Sequence, residues 1–194
     1  MPDRTRRTEL ADAAITTLAR VGSRGLTHRE VDRVAGVVEG STSYYFRTRS
    51  SLLQASVDRL AELDTAAVPG LPTGGGSGRE GFVRAFAGVV EELRTAGRDR
   101  LLARYELALE ATRRPELRAA LAAGESGLRA VVAERFEALG VSQPGDVARD
   151  FLVLLDGVLF SQVTGEGDRV VPGPELPRLI GRLLDACGVP RQAA

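Results

Sequence analysis

The chain holds one histidine, His28, in its front segment and one cysteine, Cys187, near the far end, a distribution that offers no Cys–His nucleophile pair and too few ligands for a Cys/His zinc cluster. Carboxylates are plentiful, but none stand out as a spaced acid–base pair, and without such a constellation the chain reads as a non-enzyme. The glycine run Gly74-Gly75-Gly76-Ser77-Gly78 could suggest a phosphate cradle, but no strand precedes it and no Gly-Lys-Ser/Thr follows. No cofactor is expected. The residue types with chemistry to offer lie elsewhere, in the run Glu39-Gly40-Ser41-Thr42-Ser43-Tyr44-Tyr45-Phe46 and the arginines Arg47 and Arg49 behind it. Small hydroxyls, tyrosines, arginines and the amides of a helix N-terminus are the groups that hold nucleic-acid phosphates.

The charge distribution agrees. Twenty-six basic residues balance 26 acidic ones, giving a net charge of zero. Residues 1–50 nevertheless carry nine arginines against six carboxylates, an excess that the remaining chain must offset with acid. A basic front end on an acidic body implies that only the front end approaches phosphate. With 43% apolar and 27% charged residues the composition is that of a globular protein. No stretch reaches ~18 consecutive apolar residues, so no spanning helix is expected. The opening MPDRTRRTEL lacks the apolar core of a secretory signal, and a cytoplasmic location is the expectation.

The elements that must position the hydroxyl-rich run are helices. Leu10, Ala14 and Leu18 mark a first helix over about 5–21, ended by Gly22 and Gly25. Thr27-His28-Arg29-Glu30 is a capping-box pattern, in which the Thr27 hydroxyl accepts from the Glu30 amide while the Glu30 side chain reaches back. Val31, Val34 and Ala35 give a two-turn helix an apolar face, and Gly36 breaks it. A third helix follows, Phe46 buries beneath its end, and Leu53, Val57, Leu60 and Leu63 carry a fourth over about 49–66. Residues 69–78 have the composition of a flexible loop. Beyond it, helices are expected over about 79–96, 98–112 and 115–139, another opened by Gln143-Pro144-Gly145, and a last one after Pro172-Gly173-Pro174. No strand pattern appears, so the fold class is all-α. Residues 1–50 form one domain and residues 51–194 a second, with helix 51–66 bridging them.

Three short helices with glycine-marked turns, the last rich in small hydroxyls and tyrosines, form a helix-turn-helix whose second helix would enter the major groove while the first crosses the backbone. The stretch LTHREVDRVAGVVEGSTSYYFRTRSSLL, residues 26–53, resembles the tetracycline-repressor (TetR) family of one-component regulators, and similarity runs from about residue 6 to 60. The resemblance implies an N-terminal DNA-binding domain and a C-terminal helical domain for ligand binding and dimerisation. It implies that Arg29, Glu39, Gly40, Ser41 and Ser43 face bases, and that Thr27, His28, Tyr44, Tyr45 and Arg49 contact phosphates. Arg4, Arg6 and Arg7 would form an arm along the backbone or minor groove. Glu39 either accepts from a cytosine amino group or stays solvated. His28 either hydrogen-bonds phosphate or caps the second helix.

For the second domain, the resemblance implies an apolar pocket for a small-molecule effector and a homodimer through the last two helices. Candidate walls are Leu60, Phe82, Phe86, Tyr105, Leu109, Phe136, Leu155 and Phe160, with Glu106 and Asp156 as carboxylates inside apolar runs. Those two carboxylates belong either to a pocket, with Arg104 available to pair, or to a solvated face or an interface salt bridge. Phe151–Phe160 is apolar on almost every side, which favours burial against a second chain over a purely internal core. The expected function is a ligand-responsive regulator that represses from a palindromic operator on double-stranded DNA and is released by a small molecule. The rival is a DNA-silent helical sensor or protein-interaction module.

Overall fold

Every segment with apolar residues at three- and four-residue spacing is helical in the computed structural model, which describes residues 2–67, 78–165 and 170–191. In chain order the helices are α1 (Pro2–Gly25), α2 (His28–Ala35), α3 (Ser41–Tyr45), α4 (Arg49–Ala67), α5 (Arg79–Arg94), α6 (Arg98–Ala111), α7 (Pro115–Ala138), α8 (Pro144–Thr164) and α9 (Leu176–Ala186), with a 3-10 turn at Gly173–Glu175 before the last. Among the described residues there is no strand, and none of the helices is long and apolar enough to cross a membrane. The loop expected over 69–78 lies outside the described residues except for Gly78.

The largest difference from the sequence reading is at the start of the chain. Helix α1 begins at Pro2, so Arg4, Arg6 and Arg7 sit on helical turns and not on an extended arm. Arg6 is tied to Glu9, one turn on, by an ion pair of 2.8 Å. The helix is interrupted at Gly22, whose φ of 69° and ψ of 177° suit only glycine.

The chain divides into two compact units, Met1–Leu63 with Asp99–Glu125, and Asp64–Arg98 with Ser126–Ala194. The unit that carries α1–α3 thus extends past residue 50. Its core joins Leu10, Ala14 and Leu18 of α1 to Val31 of α2, Phe46, the Leu52, Leu53, Val57 and Leu60 face of α4, and Ala103 and Leu107 of α6. Short helices such as α2 and α3 are marginal alone, so this shared burial is what holds them.

The second unit is built on a quartet of aromatic rings. Phe82 stacks on Phe86 with centroids 4.4 Å apart and on Phe136 at 4.9 Å, and Phe151 meets all three edge-on at 5.0–5.7 Å. The buried stripe Phe151, Leu155, Leu159 and Val163 of α8 repeats every four residues, and its first member is one of the quartet. Arg79 fastens the start of α5 to α9, donating to the carbonyls of Val189 (2.6 Å) and Gly181 (2.8 Å) and pairing with Asp185. Replacing the fully buried Phe136 by alanine removes two ring contacts and leaves a cavity. A loss of about 3–5 kcal/mol is expected in urea denaturation, and a loss below ~1 kcal/mol would show that the quartet is not the centre of this unit.

Candidate nucleic-acid interface

The Thr27 hydroxyl accepts from the Glu30 amide at 3.2 Å and starts α2, while Gly36, at φ 66°, closes it. Only half of the capping box forms. The Glu30 side chain turns forward to the Arg33 guanidinium at 2.9 Å, because a charged partner one turn on outbids a backbone amide.

Between α2 and α3 the chain is held by a residue that the sequence reading passed over. Asp32 is almost fully buried and its carboxylate accepts from the Gly40 amide at 2.8 Å, the Thr42 amide at 2.7 Å and the Thr42 hydroxyl at 2.5 Å. Burial raises the Asp32 pKa, but these hydrogen bonds outweigh it and hold the carboxyl below the usual aspartate range. The N-terminal amides of Gly40 and Thr42 are therefore satisfied internally and are not available to phosphate, contrary to the expectation for this helix end. Asp32 lies eight and ten residues from its partners, a spacing that no local motif announces.

The other end of α3 is pinned as firmly. His28 lies 2.6 Å from the Phe46 carbonyl through Nε2. A carbonyl cannot donate, so Nε2 carries the proton, and any phosphate contact by His28 must use Nδ1. Arg7 donates to the Tyr45 carbonyl at 3.1 Å and lies over the Phe46 ring at 4.8 Å. Phe46 is buried, as expected.

What remains outward is a small face. Arg29, Glu39, Gly40, Ser43 and Tyr44 are exposed, with Tyr44 edge-on to the half-buried Tyr45 at 5.1 Å. Arg29 and Glu39 approach each other at 3.8 Å, both side chains in solvent. Ser41 is half-buried, its hydroxyl donating to the Val38 carbonyl at 2.6 Å. Beside this face an open depression of about 480 Å³ is lined by Arg24, Leu26, Thr27, His28 and Arg49. It gathers three of the residues expected at phosphates, together with Arg24, which sequence reasoning registered only as part of the basic surplus. Arg49 is already engaged there, donating to the carbonyls of Leu26 (2.5 Å) and Ser23 (2.6 Å).

Ser23 is also where α6 meets the break in α1. Its amide donates to Glu106 and its hydroxyl to Glu110, both at 2.8 Å. Arg114 first, and then the Ser23 hydroxyl, hold the Glu110 carboxyl below its usual range against the effect of burial. The Glu106 carboxylate sits 3.2 Å from where a Gly22 Cβ would be, so a larger residue at position 22 would crowd it. Thus Glu106, a carboxylate that the sequence leaves open between a pocket, a solvated face and a salt bridge, accepts from the backbone of α1. Replacing it by alanine should cost about 1–3 kcal/mol through the lost charge-assisted bond, measured by urea denaturation against Glu116→Ala as an exposed control. Equal stability of the two variants would return Glu106 to the ligand reading.

The remaining ligand candidates scatter. Leu60 is core of the first unit, and Phe82, Phe86, Phe136 and Leu155 are core of the second. Tyr105 is half-buried. Leu109 (62% exposed) and Phe160 (49%) lie on the surface, as does Asp156. Among the described residues no group of His, Cys, Asp and Glu could hold a metal ion.

Comparison with known proteins bears on both units. Residues 77–186, more than half of the chain, match the model of a tetracyclin repressor-like C-terminal domain. A TetR-family member from Streptomyces coelicolor is 27% identical, with a TM-score of 0.69 over 92% of this chain and 97% of that one. The multidrug binding protein EbrR, solved with ethidium, is 29% identical, with a TM-score of 0.68 over 92% of this chain and 98% of its own. A structure from Mesorhizobium loti described as a TetR-family transcriptional regulator shares the fold at 17% identity, with a TM-score of 0.76 over 96% of each chain. No curated protein matches the sequence.

Proposed function

The chain belongs to the tetracycline-repressor family of transcriptional regulators, and from that premise we propose that it is a homodimeric repressor, released from a palindromic operator by a small organic molecule. The observation that carries the DNA half is the locked helix pair α2–α3. Both ends of a five-residue helix are fixed from beneath, by Asp32 and by His28 and Arg7, while Arg29, Glu39, Ser43 and Tyr44 are left outward. A helix this short contributes almost nothing to a core. A protein that spends a buried carboxylate on holding it is presenting its outer face.

The effector half is supported by likeness to EbrR, whose structure holds ethidium. The dimer is supported by α8. Opposite its buried stripe lie the exposed Val153 and Gly157, with Leu154 at their edge, and an apolar face of that kind on a helix calls for a partner. Release follows if the effector favours a conformation in which the two reading heads no longer match the half-sites, about 34 Å or a multiple apart for this motif class. The effector can shift that balance only by its differential affinity for the two states.

A reporter gene driven by the DNA upstream of this chain's own gene tests the reading in cells. Co-expression should lower the reporter signal, and a panel of small organic molecules that includes planar aromatic cations should contain one that restores it. Expression that rises with the protein would contradict repression, and repression that no compound relieves would contradict effector control.

A further inference from the structure

The ion pair on the outward face is more informative than its surface position suggests. An exposed Arg–carboxylate contact stabilises a fold by well under 1 kcal/mol, so stability does not explain it. Arg29 lies in the first turn of α2 and Glu39 in the turn that leads into α3, with Nε and Oε1 3.8 Å apart and the side chains 83% and 73% exposed. No hydrogen bond within the described residues engages either charged group. They form a donor and an acceptor held side by side, aimed away from the body.

The major-groove edge of a C·G pair presents the complement of that arrangement. The cytosine N4 amino group donates and the guanine O6 accepts, and the two atoms are hydrogen-bonded to each other, about 3 Å apart. Guanine adds N7 as a second acceptor for an arginine fork. Resting on the DNA-reading function proposed above, we infer that Arg29 and Glu39 act as one specificity-determining unit that reads a single C·G pair in each half-site, Glu39 on the cytosine amino group and Arg29 on the guanine.

The chemistry fixes an order of preference. An A·T pair with adenine facing Glu39 still offers a donor to the carboxylate and the thymine O4 to the arginine, but loses the second acceptor. The reversed pairs, G·C and T·A, place an acceptor against the Glu39 carboxylate and are rejected. The rank is therefore C·G, then A·T, then the two reversals. Glu39 has a second effect away from the operator. A carboxylate beside Arg29 offsets its attraction to any phosphate, so the face gains little from random duplex.

Selection from random duplex with the full-length protein identifies the operator, and anisotropy titrations then measure all four pairs at each of its positions. The wild type should show one position per half-site with the rank given, the reversals weaker by about tenfold or more. Glu39→Ala should narrow the gap between C·G and its reversals at that position alone and bind scrambled duplex several-fold more tightly. Arg29→Ala should abolish the guanine preference there and weaken binding. Both residues are exposed, and unchanged thermal melts confirm that the fold is intact. If a motif is selected but Glu39→Ala leaves every position and the scrambled duplex unaltered, the paired reading is overturned while DNA recognition stands. If no motif is selected and all duplexes bind alike, the DNA-reading function fails and takes this inference with it.

Discussion

Asp32→Ala should reduce specific DNA binding by at least about a hundredfold and destabilise the first unit by about 3–5 kcal/mol. Three hydrogen bonds to a charged acceptor are lost at a buried site, each contributing about 1.5–3 kcal/mol, and partial relaxation keeps the total below their sum. The Gly40 and Thr42 amides and the Thr42 hydroxyl are left without their acceptor. A five-residue helix has no reserve against that loss, because it is too short to persist on its own hydrogen bonds. Asp32→Asn should fall between wild type and alanine, since one carbonyl oxygen remains but an NH2 group faces a donor. The pH dependence has a definite sign. The folded-state pKa of Asp32 is depressed, so its stabilisation is fully present above the unfolded value of about 3.9 and is lost as pH falls through the lower folded value. Urea denaturation and anisotropy on one preparation measure both effects. An Asp32→Ala protein that binds and unfolds like wild type would show that α3 is not held from beneath.

Val153→Glu combined with Leu154→Glu should convert the proposed dimer to monomer without unfolding it. Both side chains are exposed, 68% and 41%, so charge there costs the isolated chain little. Across a two-fold the same patch faces its own copy, so the substitutions place like charges on both sides of a desolvated interface. Sedimentation velocity at micromolar concentration should give a single monomer boundary with an unchanged circular dichroism spectrum. Operator affinity should fall by about 10²–10⁴-fold, because two half-sites are then engaged independently. A variant that stays dimeric would move the subunit contact away from α8.

The helices, the Thr27 and Gly36 caps, the burial of Phe46 and the all-α class were legible because each rests on near neighbours: a period, a cap or a breaker. The residues at 26–53 also carried the family resemblance, since a helix-turn-helix fixes spacing tightly. The C-terminal half shows no such motif to the eye. Its membership emerges only when every position of residues 77–186 is weighed together. What stayed hidden was long-range. Asp32 reads as a surface acid on a short helix until the turn folds its carboxylate under Gly40 and Thr42. Glu106 reads as an anomaly in an apolar run because its partner, Ser23, is 83 residues away. Arg49 reads as a phosphate contact, and nothing near it in the sequence announces the carbonyls of Ser23 and Leu26 that it holds beside the α1 break at Gly22. Apolar residues at helical spacing, such as Phe82 and Phe136, look the same whether they line a pocket or pack on each other, and their ring stacking is a contact between helices that no local pattern announces.

The central claim, that the locked α2–α3 face reads a specific DNA sequence, is tested most directly by a fluorescence-anisotropy titration. The purified protein is titrated onto the duplex upstream of its own gene and onto a scrambled duplex of the same composition, each at two salt concentrations. The account predicts binding to the natural duplex that is at least about a thousandfold tighter and that weakens as salt displaces the phosphate contacts. Equal, weak binding to both duplexes, repeated with duplexes drawn from a random pool, would contradict it.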